Sequence, residues 1–312
     1  MSIQASQFPK ETARGGEFRR QVSAFRSWVK ADGSSAHPAE AGRYHLYVSS
    51  ACPWAHRTII ARKLKGLEDV IGMTIVDPLR DELGWRFTDE PDPLRGFEYL
   101  SEAYLASAPD FAGRVTVPVL WDKHLGVIVS NESEEILRML DAEFGEWSAG
   151  TPVLYPEDRR TEIEALNDRI YRTVNNGVYR AGFATTQAAY EEAVVPLFET
   201  LAWLDERLAS SRYLLGETPT EADWRLFTTL VRFDPVYHGH FKCNLRQLAD
   251  HPNLWAYTRD LYQLPGVAET VDLDHIKRHY YVTHRAINPT GVVPLGPELD
   301  LLEPHGRAVL SS

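Results

Sequence analysis

The sequence predicts an α/β domain followed by an all-helical domain, and three observations predict it. Strand, helix and strand patterns succeed one another between residues 43 and 76. Two further strand patterns and a helix follow by residue 145. From residue 158 to 262 apolar residues recur at i, i+3 and i+4, the spacing of helices that bury one face.

With 312 residues the chain is long enough for two domains, each with a sizeable core. Residues 1–42, rich in Gly, Ser and charge, read as an N-terminal extension, with a helical piece expected around Phe18 to Trp28. Arg43-Tyr-His-Leu-Tyr-Val-Ser-Ser alternates apolar and polar residues and predicts a strand. After Ser50-Ala-Cys-Pro-Trp-Ala-His-Arg-Thr, Ile59, Ile60, Ala61 and Leu64 mark a helix with one apolar face. Val70 to Val76 predicts a second strand, so the unit is βαβ and its strands should pair in parallel.

Residues 77–112 carry repeated Pro, Gly and Asp with no sustained period and read as an inserted loop, a length that tends to be functional. Val115 to Trp121 predicts a strand interrupted by Pro118, which restricts it to an edge or an unusual geometry. Val127-Ile-Val-Ser predicts another strand. Asn131 opens a helix to about Phe144, with an acidic first turn that suits the helix dipole. The α/β domain thus covers 43–145, with Gly145 to Pro156 as linker. The helical domain covers 156–285, with helices expected at 158–175, 187–210, 222–233 and 245–262. Thr220-Glu-Ala-Asp223 has a capping-box spacing, and the tail 286–312, with Pro289, Pro294 and Pro297, should be irregular.

A net charge of −11 argues against a nucleic-acid partner, which would call for a basic face. Cys52 and Cys243 are the only two cysteines, too few for a disulfide framework and suited to a reducing compartment. No run approaches the ~18–20 apolar residues of a membrane span. The N-terminus lacks the apolar core of a secretory signal. These features lead to the expectation of a cytoplasmic protein without a membrane partner.

The chemistry centres on Cys52-Pro53-Trp54-Ala55 at the strand-to-helix turn. A cysteine there faces unpaired backbone N–H groups and the positive helix end, which favour the thiolate. Pro53 suits the first helical turn, and His56 and Arg57 add positive charge nearby. Dithiol redox sites place a second cysteine three positions on, where this chain has Ala55, so a mixed disulfide would need an external thiol such as glutathione. The competing role, a small buried hydrophobe, is assigned to Cys243. Two weaker signals follow. Val117 precedes a proline and, if that peptide is cis, can offer its backbone to a peptide-like ligand; an edge-strand proline is the plainer alternative. Asn131-Glu132-Ser133 opens a helix whose N–H groups and Ser hydroxyl can hold a carboxylate, or simply cap the helix.

These segments, with Arg114-Val-Thr-Val-Pro-Val-Leu-Trp-Asp, Val129-Ser-Asn-Glu-Ser-Glu-Glu-Ile, Asn175-Asn-Gly-Val-Tyr-Arg-Ala-Gly-Phe-Ala, Arg232-Phe-Asp-Pro-Val-Tyr-His and His279-Tyr-Tyr, resemble the glutathionyl-hydroquinone reductases, the Xi class of glutathione transferases. The resemblance spans roughly residues 40–300. It implies a thioredoxin-like N-terminal domain, a helical glutathione-transferase C-terminal domain, and glutathione as co-substrate with no metal. It implies reduction of glutathionyl-hydroquinones to hydroquinones with release of glutathione disulfide, through a mixed disulfide on Cys52. Trp85, Arg114, Val115, Thr116, Val117, Glu132 and Ser133 would hold the glutathionyl part. Tyr179 would donate and accept the proton, and Tyr237 and Tyr280 would support the cysteine. For the tyrosines, bottom-up reasoning alone would prefer core or surface packing, and Trp85 could likewise only pack. The family also implies a homodimer. Two other readings use the same residues: a general thioltransferase acting on glutathione mixed disulfides, and a binding protein without catalysis. Simple conjugation of glutathione fits less well, since a cysteine in the site would form a mixed disulfide with it.

Overall fold

The computed structural model describes residues 11–88, 91–148 and 150–310. Parts of the expected extension (1–10), inserted loop (89–90), linker (149) and tail (311–312) lie outside the described residues. The chain divides into two compact units. The first holds Gln21–Val153 and Asp274–His279; the second holds Glu11–Arg20, Leu154–Leu273 and Tyr280–Ser312.

In the first unit, short strands β1 (Val29–Lys30) and β2 (His37–Pro38) pair in parallel. The main sheet has four strands, β3 (Tyr44–Val48), β4 (Gly72–Ile75), β5 (Val119–Asp122) and β6 (Val127–Ser130), in the order β4-β3-β5-β6. β3 and β4 are parallel, as a βαβ unit requires, and β5 runs antiparallel to both β3 and β6. β5 is therefore an interior strand, so of the two outcomes that Pro118 allows, an edge or an unusual geometry, the second is found. Its ladder begins at Val119, one residue past the proline, so no ladder hydrogen bond is lost; the Val117–Pro118 peptide is cis.

Helix α1 (Pro53–Leu64) follows β3 and is buried from Ala55 to Ala61, including His56, Arg57 and Thr58. The single apolar face expected for it is thus replaced by burial all round. Helix α2 (Leu100–Ser107) lies within the segment 77–112 that was expected to be a loop. At eight residues it is too short to show a period, and Glu102 starts it by accepting from the N–H groups of Glu98 and Tyr99. Helix α3 (Ser133–Ala142) packs on α1.

The helical piece expected around Phe18 to Trp28 does not form. The Ser27 N–H donates to the Val129 carbonyl at 2.9 Å, and the Asn131 N–H to the Phe25 carbonyl at 3.0 Å. The flank of β6 takes the backbone groups that a helix would have used internally.

A buried charge network ties β2 to β5. The Asp122 carboxylate, fully buried, accepts from Arg43 at 2.7 Å and lies 2.8 Å from His37 Nδ1. Burial alone would raise this carboxyl, but hydrogen bonds from Arg43 and His37 outweigh it and hold it below the usual range. A depressed carboxyl contributes stability above its unfolded pKa, so the contribution is complete at neutral pH and is lost as pH falls below about 4. Asp122→Ala removes the buried counter-charge of Arg43, leaving the half-exposed Glu40 carboxylate at 3.3 Å, and is expected to destabilise the protein by about 3 kcal/mol. Urea unfolding at pH 7 and pH 3 checks both: the gap between variant and wild type should narrow in acid.

The second unit is helical: α4 (Arg160–Ile170), α5 (Gly177–Gly182), α6 (Gln187–Leu208), α7 (Glu221–Leu230), α8 (Pro252–Tyr262) and the ends of α9 (Leu273–Thr283), whose Asp274–His279 belong with the first unit. Helices α5 and α9 were not foreseen, α5 because six residues carry no readable period. The helix expected from 245 starts only at Pro252, which takes the first-turn position where a missing N–H costs nothing. Two π turns, Tyr171–Asn175 and Phe233–Tyr237, interrupt the helical pattern. The capping box forms as its spacing predicts. Asp223 accepts from the Thr220 N–H at 2.7 Å and also from the Leu214 N–H and the Tyr257 hydroxyl, at 2.9 and 2.8 Å. Beyond Ala286 the tail is irregular apart from one turn at Arg307–Leu310, where buried Arg307 donates to the carbonyls of Leu208 and Arg212 at 3.0 and 2.8 Å.

Candidate active site

β3 ends at Val48, and the turn Ser49-Ser50-Ala51 delivers Cys52 to the N-cap of α1. The Cys52 N–H donates to the Ser49 carbonyl at 3.1 Å, and its own carbonyl accepts from His56 N–H at 2.9 Å. The thiol makes no cap bond; its Sγ lies 3.6 Å from the Val117 carbonyl oxygen. Cys52 is partly exposed, whereas Cys243 is fully buried and burial pushes its thiol far up. Position 55 is a buried alanine, so no second thiol lies on that turn.

The three sequence signals meet in this unit. Cys52 touches the Val117 backbone. Arg57 of α1 reaches across to Ser133 of α3, its Nη1 donating to Ser133 Oγ at 3.4 Å while its guanidinium lies 4.4 Å from the Trp54 ring centroid. Asn131 Nδ2 donates to Thr116 Oγ1 at 3.2 Å. Thr116 is further fixed by Tyr104, whose hydroxyl donates to the Thr116 carbonyl at 2.8 Å. Among the described residues the Val117 N–H has no hydrogen-bond partner, so the segment beside the thiol presents a free donor. Val115 points into the core, and the Arg114 N–H donates to Gln21 Oε1 at 3.1 Å. Glu132 is the N-cap of α3; its carboxylate accepts from the Ser23 hydroxyl at 2.9 Å and from the Glu134 N–H.

Trp85 is buried and stacks on His279, with centroids 5.0 Å apart and planes 18° from parallel. The Arg80 guanidinium lies 5.3 Å from the Trp85 ring. His279 Nδ1 is 2.6 Å from the Pro78 carbonyl, which can only accept, so the proton sits on Nδ1. Burial pushes His279 down to about 3, so the ring is neutral at physiological pH. Sequence reasoning did not single out His279, although it stands next to Tyr280 in a quoted motif.

In the second unit Tyr179 of α5, Tyr237 of the second π turn and Tyr280 of α9 converge. The Tyr280 hydroxyl lies 2.5 Å from that of Tyr179 and 3.1 Å from that of Tyr237. Burial holds the Tyr237 and Tyr280 phenols well above their usual pKa, so both stay protonated. Tyr179 is partly exposed and heads the chain. Each phenol can donate one bond and accept others, so Tyr280 and Tyr237 can supply hydrogen bonds that follow a charge onto Tyr179. Phe241 packs on the trio, and Gly182 makes room for it: a Cβ there would stand 2.2 Å from the Phe241 ring. Sequence reasoning also missed Arg20, whose guanidinium lies 4.8 Å from the Tyr179 ring centroid.

Among the described residues no group of three or more His, Cys, Asp or Glu side chains could hold a metal ion, and no helix is long and apolar enough to cross a membrane.

Comparison with known proteins gives the chemistry a family. Residues 51–143 match the model of the glutathione S-transferase N-terminal domain, and residues 187–260 that of the glutathione S-transferase C-terminal domain. The chain is 54% identical over 306 residues to glutathionyl-hydroquinone reductase YqjG of Escherichia coli, covering 95% of this chain and 93% of that one. It is 51% identical over 287 residues to glutathionyl-hydroquinone reductase PcpF of Sphingobium chlorophenolicum, covering 91% and 90%. The glutathione-bound structure of YqjG superposes with a TM-score of 0.89 over 91% of this chain and 96% of its own.

Proposed function

The chain belongs to the glutathione transferase superfamily, in its Xi class of glutathionyl-hydroquinone reductases, and on that premise we propose how its own residues carry the reaction. The enzyme reduces glutathionyl-hydroquinones to hydroquinones and releases glutathione disulfide, with glutathione as co-substrate. The observation that carries the residue assignment is Cys52 at the amino end of α1, its sulfur 3.6 Å from the Val117 carbonyl and with no second thiol at position 55.

The Cys52 thiolate attacks the sulfur of the glutathionyl group. A sulfur–sulfur bond forms, the carbon–sulfur bond to the ring breaks, and its electron pair passes to the ring carbon. That carbon takes the Tyr179 proton, giving the hydroquinone and leaving a phenolate. Glutathione then returns a proton to Tyr179 and attacks the mixed disulfide, releasing glutathione disulfide and restoring Cys52. Tyrosine suits the role because it is protonated at neutral pH and needs no prior activation. Tyr280 and Tyr237 donate along the hydroxyl chain as the charge appears. The resemblance gives both a second role, favouring the thiolate form of the cysteine, as a hydrogen bond to a charged form does.

The Val117 backbone pairs with the peptide portion of glutathione, a role that its unpartnered N–H supports. Glu132, Ser133 and Arg114 hold its charged ends, Val115 and Thr116 shape the strand entry, and Trp85 flanks the ligand. The first domain, 43–145, is the glutathione-binding one, and 156–285 supplies the tyrosines. A cytoplasmic homodimer completes the proposal; light scattering that returned the mass of a single chain would remove the dimer.

The substrate class is tested by comparing kcat/KM for a glutathionyl-hydroquinone with that for a small glutathione mixed disulfide. A quinol preference of about tenfold or more is expected, since stacking of the quinol ring on aromatic side chains is worth about 0.5–1.5 kcal/mol per pair. A preference for the disulfide would make the protein a general thioltransferase instead.

A further inference from the structure

The N-terminal segment brings a cation onto the face of the tyrosine that the reaction leaves charged. Residues 11–20 fold back on themselves through a bridge between Thr12 and Phe18. The Gly16 carbonyl accepts from the Thr185 N–H at 3.1 Å, and the Gly15 carbonyl from the Thr186 hydroxyl at 2.9 Å. Gly16 is required for this approach: its φ is +87°, and a Cβ there would stand 2.8 Å from Thr186 side-chain atoms. The fold-back sets Phe18 against Tyr179 and Phe183, with centroids 6.4 and 5.3 Å apart. Arg20 then lies 4.8 Å from the Tyr179 centroid and 5.4 Å from that of Phe18. Its Nε donates to Asn176 Oδ1 at 3.2 Å, which anchors the guanidinium to the same stretch of chain that carries Tyr179.

We infer that Arg20 is a positioning residue for the reduction, stabilising the negative charge that Tyr179 acquires when it gives its proton to the ring carbon. A guanidinium over a phenol ring is attracted by the ring quadrupole, and over a phenolate by a full charge as well. The interaction therefore strengthens as the proton leaves, which is the condition for it to speed the step. It acts only on protonation of carbon. A mixed disulfide whose leaving group departs as a stable thiolate makes no such demand on Tyr179. The inference rests on Tyr179 being the proton donor, and the experiment separates the two.

Arg20→Gln and Arg20→Lys are measured in single turnover, following glutathionylation of Cys52 with a glutathionyl-hydroquinone and with a glutathione mixed disulfide of an acidic aromatic thiol. Arg20→Gln is expected to slow the quinol reaction about tenfold, the scale of a partly desolvated cation–π contact, and to leave the disulfide reaction within about twofold. Arg20→Lys should recover most of the quinol rate, and glutathione affinity should not change. Equal slowing of both substrates, no slowing of either, or failure of lysine to rescue would overturn the role. Tyr179→Phe is run alongside: wild-type quinol turnover there removes the proton-donor assignment itself, whereas a slow Tyr179→Phe with an unaffected Arg20→Gln removes only the part given to Arg20.

Discussion

Cys52→Ser is expected to lower glutathionyl-hydroquinone reduction by roughly a thousandfold or more, the scale seen when a covalent nucleophile is removed, while glutathione still binds. The serine hydroxyl keeps the N-cap geometry of α1 and the contact with Val117, so the fold and the ligand-binding backbone remain. What disappears is the sulfur that forms the mixed disulfide. Mass spectrometry after incubation with substrate, in the absence of free glutathione, should find one glutathione on wild-type Cys52 and none on the variant. An adduct on Cys243 is not expected, because that thiol is wholly buried and held protonated. Full turnover by the Ser variant would end the covalent mechanism, and loss of glutathione binding would show that the cysteine serves the pocket instead.

Tyr179→Phe should lower quinol reduction by about a hundredfold or more, in the range of general-acid catalysis, and leave reduction of a mixed disulfide nearly intact. The ring and its contacts with Phe183, Phe241 and Tyr237 are retained, so packing changes little. The Tyr280 hydroxyl loses its 2.5 Å partner but keeps Tyr237 at 3.1 Å, so no buried hydroxyl is stranded. The diagnostic is the difference between substrates, since only the quinol reaction protonates carbon. Equal loss on both would assign Tyr179 to structure.

Much of the first unit was legible because its signals are local. Alternation marked β3, the run Val127-Ile-Val-Ser marked β6, the strand–helix–strand spacing required parallel pairing of β3 with β4, and Cys52 ahead of Pro53 marked the start of α1. The Thr220–Asp223 spacing marked the start of α7 for the same reason. Where a partner far along the chain competes for the backbone, the local signal fails. Phe25 and Ser27 could have continued a helix, but Val129 and Asn131 took their hydrogen bonds. The short helices α2 and α5 escaped because neither completes enough turns to show a period.

The amino-acid sequence by itself determined the βαβ beginning, a cysteine at a helix start with no second thiol three positions on, and the helical second half, each written in residues within a few turns of one another. Tyr179, Tyr237 and Tyr280 were picked out of 14 tyrosines by resemblance, and that their hydroxyls meet was decided only by the tertiary fold. The hydroxyl chain joins residues 101 and 43 positions apart, Trp85 finds His279 from nearly two hundred residues away, and Arg20 reaches Tyr179 from a stretch whose local pattern suggested a helix. Periodicity reports which face of an element is buried; it carries no information on which distant side chain will meet that face, because packing, not propensity, makes that choice.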